Sequence, residues 1–239
     1  MKSSRLATTF ITMIVVSGFA MLGGSALKLN ALHQYQFVSL LVISAVASRM
    51  RVKLPGVDGN MSVNLPFMLI AAAQLSLFEA VVVALVSAGV QSIPKSGGKL
   101  QPVRVLFNVS TMALSAGVAA MLLHSDWLAG ATHRIASLPL VAACSMFFLV
   151  NTLPVATIIS LTEGSPLLRI WSSILHLSFP YYVACTGVTS IITAMSRLIG
   201  WQVPLAILPV MLLMYRCYRL YFGGTAEVPM PANARAAGA

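Results

Sequence analysis

Side chains that could carry chemistry are few in this chain, and most of them lie inside or beside long apolar runs. Asn108 and Asn151 each stand within such a run. A polar group in hydrocarbon is costly unless it is paired, so intramembrane amides either hold helices together or contact a ligand. Both interpretations stay open here. The candidate ligand-binding residues are Asn108, Asn151, Arg104, Thr111, Gln74 and Thr186.

Helical spacing groups these residues on two faces. The first contains Arg104, Asn108, Thr111 and Ser115, and the second contains Tyr182, Thr186, Thr189 and Thr193. Positions separated by three, four or seven residues share a face of a helix. We expect both faces to point into a bundle, where they either line a cavity or let helices pack closely through small residues.

Catalytic and metal-binding patterns are absent from the sequence. The four histidines are scattered, and none is spaced four residues from another metal ligand. There is no G-x-S-x-G, no P-loop and no Rossmann glycine pattern. The three cysteines lie apart in apolar runs. Of the five acidic residues, Glu79 alone adjoins an apolar segment, and we expect it to be solvated at the outer boundary. The prediction is a non-enzyme without cofactor or metal.

The amino-acid composition indicates whether these apolar runs belong in water or in a lipid bilayer. Hydrophobic residues make up 58% of the 239 and charged residues only 8%, whereas soluble domains carry roughly 25% charged residues. A chain this apolar cannot cover its surface with polar groups, so we expect the lipid bilayer to be its partner. The net charge of +10 does not indicate nucleic acid, because the basic residues sit at the ends of apolar runs rather than in one patch.

The apolar runs predict an all-α fold, a polytopic transmembrane helix bundle of about seven to eight segments. They cover 7–27, 35–48, 65–76, 78–93, 104–124, 137–161, 177–199 and 202–222. The first run is longer than a usual signal-peptide core, so we interpret it as a first span. Residues 1–222 are predicted to form one integral membrane domain, followed by a short disordered cytoplasmic tail at 223–239.

Segment 65–93 decides the topology. It is either one long helix or a short, broken helix pair with a turn near Ser76 to Glu79. A pair puts twelve of the fifteen basic residues in the cytoplasm, and a single helix only seven. Because cytoplasmic loops are rich in Lys and Arg, the pair is favoured, with both termini cytoplasmic. The pair spans twice or is re-entrant. An interfacial helix is predicted at 165–176, with Ser165 as N-cap and a bend at Pro180.

Several short motifs resemble a known family. They are Val52-Lys-Leu-Pro-Gly56, Ser62-Val-Asn-Leu-Pro-Phe67, Val105-Leu-Phe-Asn108, Phe148-Leu-Val-Asn-Thr-Leu153 and Arg216-Cys-Tyr-Arg-Leu-Tyr221. Their order is similar to the multi-span sensor region found before HD-GYP or GGDEF domains in bacterial signalling proteins. The resemblance covers most of 35–222, and it implies a bacterial inner membrane location. In that family an output domain follows the last span, whereas here only the tail follows.

The leading hypothesis is therefore a non-enzymatic inner-membrane module that senses a small-molecule ligand or a membrane state, or docks a cytoplasmic signalling or membrane protein partner. The alternative is a substrate-binding or permease component of a small-solute transporter, since broken helices mark the binding sites of transporters. A purely structural membrane partner is the third class.

Overall fold

Seven helices and one small antiparallel strand pair form the described part of the chain. The computed structural model describes residues 2–27, 34–53, 60–62, 64–94, 101–125 and 138–200, with isolated positions between 202 and 220. The helices are α1 Lys2–Ala26, α2 Gln34–Ser48, α3 Leu65–Gln74, α4 Leu77–Ser92, α5 Pro102–Leu123, α6 Leu138–Glu163 and α7 Leu167–Ile199. The first six match the predicted runs closely, whereas α7 begins ten residues before the predicted run 177–199. The predicted run 202–222, apart from those isolated positions, and the tail 223–239 lie outside the described residues.

Four of these helices are long and apolar enough to cross a membrane. The candidate spans are Arg5–Ala26, Pro102–Leu123, Leu138–Glu163 and Leu167–Ser196. The predicted transmembrane helix bundle is confirmed to this extent. The helices α2, α3 and α4 contain 15, 10 and 16 residues, and each rises less than the ~30 Å of a bilayer core. The count of seven to eight spanning segments stays a prediction.

The pair α3 and α4 forms a helical hairpin, and both of its ends meet the same end of α2. Asn64 Nδ2, just before α3, donates to Ser48 Oγ at 2.9 Å. Arg49 Nη1 lies 3.5 Å from the carbonyl oxygen of Ile93, just after α4. We call this end the base of the helical hairpin. Segment 65–93 is thus broken, and it returns to the side from which it enters.

The opposite end of the helical hairpin, its tip, lies beside the start of α2. Gln36 Nε2 in α2 donates to Gln74 Oε1 at the end of α3, over 2.7 Å. Leu75 and Ser76 then adopt extended backbone conformations, which end α3 and reverse the chain into α4. The helical hairpin therefore extends as deep into the bundle as α2 does.

Helix α3 is the centre of the bundle. Eight of its ten residues are buried, and Phe67, Ile70 and Ala71 are inaccessible to solvent. One side packs in a cluster with α4, α5, α6 and α7, and the other packs in a cluster with α2, α4 and α7. Short helices at membrane depth require such protein surroundings, because lipid cannot satisfy the backbone groups at their ends.

Close backbone approach joins α1 to α5. A Cβ on Gly18 would lie 2.6 Å from Ser110 Cβ, and a Cβ on Gly117 would lie 2.6 Å from Met21 Sδ. Small residues allow this approach, which is a common way for membrane helices to pack. The tight contact fixes α1 against α5 over its central turns.

Helix α7 corrects the prediction of a separate interfacial helix at 165–176. The helix begins at Leu167 with Pro166 as N-cap, and it continues through Pro180 to Ile199. Ser165 is not the N-cap; its carbonyl oxygen accepts from Ser160 Oγ at 2.7 Å. A proline inside a helix loses one backbone hydrogen bond, and here the helix continues past it. At 33 residues, α7 is roughly 50 Å long.

Two short strands modify the all-α prediction. Arg51–Lys53 pairs antiparallel with Asn60–Ser62, with Val52 opposite Met61. The sequence between them contains Pro-Gly and Asp-Gly, which are turn formers. The pair joins the end of α2 to the start of α3 at the base of the helical hairpin.

Candidate functional site

Asn151 and Thr186, two of the predicted site residues, meet at Tyr182. Asn151 Nδ2 in α6 lies 3.1 Å from Tyr182 Oη in α7. Thr186 Oγ1 donates to the carbonyl oxygen of Tyr182 at 2.8 Å, and the Cys144 thiol lies 3.8 Å from the same oxygen. The ring of Tyr182 stands edge-on to Phe148, with centroids 4.8 Å apart. This junction couples α6 to α7 through an amide–phenol bond and aromatic packing.

The first half of α7 is attached to α6 as well. Trp171 Nε1 donates to Thr152 Oγ1 at 3.2 Å, and Thr152 donates in turn to the carbonyl oxygen of Phe148 at 2.8 Å. The rings of Phe148 and Trp171 are 6.5 Å apart. The segment that the sequence assigned to an interfacial helix therefore packs on a neighbouring helix through Trp171.

Tyr181, next to Tyr182, connects α7 to the helical hairpin. Its side chain is hydrogen-bonded to the backbone of Leu65, the first residue of α3, and to the Cys185 thiol. Tyr181 and Cys185 are both buried. Two consecutive tyrosines thus attach α7 to different neighbours, one to the helical hairpin and the other to α6.

Gln74 lies at the tip of the helical hairpin, away from Asn151. Its Oε1 accepts from Gln36, while its Nε2 is buried and has no hydrogen-bond partner within the described ranges. Nearby, Glu79 and Ser76 form a capping box. Glu79 Oε2 accepts from Ser76 N at 3.0 Å and from Ser76 Oγ at 2.7 Å. Ser76 Oγ also lies 3.4 Å from Glu79 N, from which it accepts.

The prediction that Glu79 is solvated is wrong, because its side chain is 0% exposed. The capping box explains the burial, because the carboxylate accepts hydrogen bonds from the backbone N–H and the hydroxyl of Ser76 at the start of α4. A carboxylate at this end also complements the helix dipole. The spacing Ser76-x-x-Glu79 is the sequence signature of this motif. That signal was present in the sequence and could have located the start of α4.

The face Arg104–Asn108–Thr111–Ser115 does not point inward as a whole. Arg104 and Asn108 are exposed, whereas Thr111 and Ser115 are buried. Thr111 Oγ1 has no hydrogen-bond partner among the residues that the structure describes, although the Thr111 carbonyl oxygen accepts from Ser115 Oγ at 2.7 Å. Arg104 and Asn108 therefore do not share the buried setting of Thr111 and Ser115 on the same helix.

Sequence reasoning missed a buried polar network near the base of the helical hairpin. Ser44 Oγ and Ser87 Oγ lie 2.6 Å apart and join α2 to α4. Ser48 Oγ donates to the carbonyl oxygen of Ser44 at 2.7 Å and accepts from Asn64. All four residues are buried. The position of Asn64 in the motif Ser62–Phe67 was the available signal.

Metal ligands are not clustered in the described residues: no three His, Cys, Asp or Glu side chains are close enough there to hold an ion. The polar atoms at the tip and at the Tyr182 junction belong mainly to amides, hydroxyls and thiols. Such groups recognise a partner or a small solute by hydrogen bonding.

The family model of MASE9 matches residues 6–221. The chain belongs to the MASE9 family. MASE domains are membrane-associated sensor domains. A search of curated proteins found no match, and neither did a search of solved structures. The match includes the helical hairpin, the Tyr182 junction and every described helix except the first residues of α1. The membrane-sensor part of the resemblance seen in the sequence is thus confirmed for this MASE9 chain.

Proposed function

We propose that this MASE9 chain is a non-enzymatic sensory module of the bacterial inner membrane that passes a stimulus to a partner protein. The match of the family model over 6–221 carries this proposal. Four candidate spans and the absence of catalytic sequence motifs support it. The proposed stimulus is a small-molecule ligand or a membrane state, and it acts within the helix bundle.

The proposed orientation has the base of the helical hairpin at the cytoplasmic face and both termini in the cytoplasm. Arg49 lies at the base, and Arg51, Lys53, Lys95, Lys99 and Arg104 are close to it in sequence. Basic residues concentrate in cytoplasmic loops. The tip then lies toward the outer side, together with the start of α2.

The proposed route of the signal is α7. Tyr181 binds the backbone at the start of α3, and its neighbour Tyr182 binds Asn151 in α6. A shift of the helical hairpin against α7 would therefore change the angle or depth at which α7 meets α6. Such a coupling requires an element with two arrangements whose equilibrium both sites influence. The proposed element is α7, which has Pro180 directly before these two tyrosines.

The proposed partner is a protein of cyclic-dinucleotide signalling, as the likeness to regions preceding HD-GYP and GGDEF domains implies. Deletion of the chain from its host should change the cyclic-dinucleotide level, and the wild-type chain should restore it. Asn151→Leu at equal membrane abundance should fail to restore it, because it removes the bond to Tyr182. Thr157→Val is the matched control, since Thr157 lies on the same helix and donates only to the carbonyl oxygen of Leu153.

An unchanged cyclic-dinucleotide level after deletion would contradict the partner class. If deletion instead abolished uptake of a radiolabelled solute, the chain would belong to a transport system. Full restoration by Asn151→Leu would exclude the Tyr182 junction from the route of the signal.

A further inference from the structure

We infer that the tip of the helical hairpin binds a small, uncharged polar solute between Gln74 and the hydroxyl face of α7 formed by Thr189, Thr193 and Ser196. The inference rests on the proposed sensory function and names the class of its ligand and the place where it binds. The argument depends on the register of α7 against α3 and on which buried polar atoms lack a partner.

The register follows from one contact and one shared cluster. Tyr181 is hydrogen-bonded to the backbone of Leu65 at the start of α3. Ile192, eleven residues further along α7, packs in a cluster with α3 residues from Phe67 to Leu75, all of which follow Leu65. The two helices therefore run in the same direction. At 1.5 Å per residue in both helices, Gln74 lies about level with residue 190 of α7.

The hydroxyl face is formed by residues at this level. Thr189, Thr193 and Ser196 are spaced i, i+4 and i+7, so they share one face of α7. Thr189 is 0% exposed and thus lies inside the bundle. Thr193 and Ser196 are a turn and two turns further toward the outer end of α7. The tip and this face are therefore adjacent in depth.

Four buried polar atoms here have no hydrogen-bond partner among the described residues: Gln74 Nε2, Thr189 Oγ1, Thr193 Oγ1 and Ser196 Oγ. Elsewhere in α7, Thr186 Oγ1 donates to the carbonyl oxygen of Tyr182, four residues earlier. Thr152 and Thr157 in α6 likewise donate to carbonyl oxygens four residues earlier. An unsatisfied buried polar group costs about 1–3 kcal/mol. Four such groups together indicate a place that hydrogen-bonds to something other than the described part of the chain.

The chemistry of the atoms selects the class of solute. Gln74 Nε2 is a donor only and requires an acceptor oxygen, while the hydroxyls both donate and accept. The Glu79 carboxylate at the tip disfavours an anion, and the unpaired amide N–H groups disfavour a cation. A neutral molecule with carbonyl or hydroxyl oxygens, such as a small amide or polyol, satisfies all these groups.

Accessibility to water is the first test. The full chain in lipid nanodiscs carries Cys217→Ser, because Cys217 is exposed and the other two described cysteines are buried. Thr193→Cys and Ile191→Cys are then treated with a charged, membrane-impermeant methanethiosulfonate. Ile191 is 62% exposed among the described residues, and an apolar side chain exposed on a spanning helix is expected to face lipid. Thr193→Cys should react on the order of tenfold faster, since only the thiolate in contact with water reacts.

Protection by solutes is the second test, with acetamide and glycerol as neutral probes and sodium acetate as the charged control. A solute at twice its Kd leaves about one third of sites free, so labelling of Thr193→Cys should slow about threefold. Gln74→Leu should abolish this protection. If Gln74→Leu does not fold, Ser196→Ala serves as the second variant and should weaken it.

Equal labelling rates of Thr193→Cys and Ile191→Cys would overturn the inference. They would show that position 193 has no better access to water than the control position outside the proposed site. Protection by acetate, or by none of the probes, would overturn the class of solute. These readouts do not depend on any signalling partner. Failure of the cyclic-dinucleotide experiment alone would therefore reject the proposed function while leaving the solute site in place.

Discussion

The base and the tip of the helical hairpin both contain buried amides and hydroxyls, but these groups are hydrogen-bonded to different extents at the two ends. At the base, Asn64, Ser48, Ser44 and Ser87 form a connected series of hydrogen bonds between 2.6 and 2.9 Å. At the tip, Gln74 pairs with Gln36 through its oxygen, and three hydroxyls of α7 at this level have no partner in the described part of the chain. A buried polar network that is fully paired fixes one arrangement, whereas an incompletely paired one is costly without an additional partner. The base therefore serves the fold, and the tip is the better candidate for binding.

Asn64→Leu gives the largest expected effect on this comparison. The substitution removes the amide that donates to Ser48 at a position only 2% exposed. We expect the free energy of unfolding to fall by about 2 kcal/mol. Unfolding of the purified chain in mixed micelles measures the change. Thr12→Val in exposed α1 is the control and should change little, because Thr12 Oγ1 bonds only to the Thr8 carbonyl oxygen. A loss at Asn64 no larger than the control would show that the base does not depend on its amide.

Glu79→Ala tests the capping box that connects the tip to α4. Loss of a capping side chain costs about 0.5–2 kcal/mol, and we expect a value near 1.5 kcal/mol because the carboxylate is fully buried. Glu79→Gln keeps the shape and one acceptor, so it should lose less than Glu79→Ala. The free energy of unfolding of the two variants decides this. Equal losses would mean that side-chain volume, and not the hydrogen bonds to Ser76, holds the start of α4.

Ser44→Ala and Ser87→Ala, singly and together, measure one hydrogen bond of the base. Each single variant leaves its partner hydroxyl unpaired, while the double variant removes both. Hydrogen bonds between membrane helices give coupling energies of about 0.6 kcal/mol on average and up to about 1.7 kcal/mol. We expect a value toward the upper end, since the two oxygens are 2.6 Å apart and fully buried. A coupling energy near zero would show that the hydrogen bond between Ser44 and Ser87 does not stabilise the base.

Thr189→Val gives the smallest expected effect. The sign of the change in the free energy of unfolding distinguishes the tip from the base. Valine keeps the shape of threonine and removes a buried hydroxyl that has no partner. We expect the free energy of unfolding to stay constant or to rise by up to about 1 kcal/mol. A loss as large as that of Ser44→Ala would contradict the comparison, because it would mean that the hydroxyl at the tip is paired within the fold.

Sequence reasoning predicted the helices better than the site. The apolar runs located the helices to within a few residues except at the start of α7, and the distribution of basic residues correctly favoured a broken segment at 65–93. The polar residues were harder, since a spacing of three or four residues defines a face but not what the face contacts. Asn151 and Asn108 look alike in sequence. One bonds to Tyr182, while the other is exposed.

The sequence by itself determined that the chain belongs in a bilayer, where most of its helices begin and end, and that segment 65–93 turns back. These features follow from local composition and from hydrophobic length, which do not depend on the partners of a helix. Only the tertiary structure decided that Glu79 is buried, that α7 is one helix past Pro180, and that Tyr181 and Tyr182 bind different neighbours. Hydrogen bonds between helices depend on depth, rotation and register, and no pattern along a single helix specifies all three.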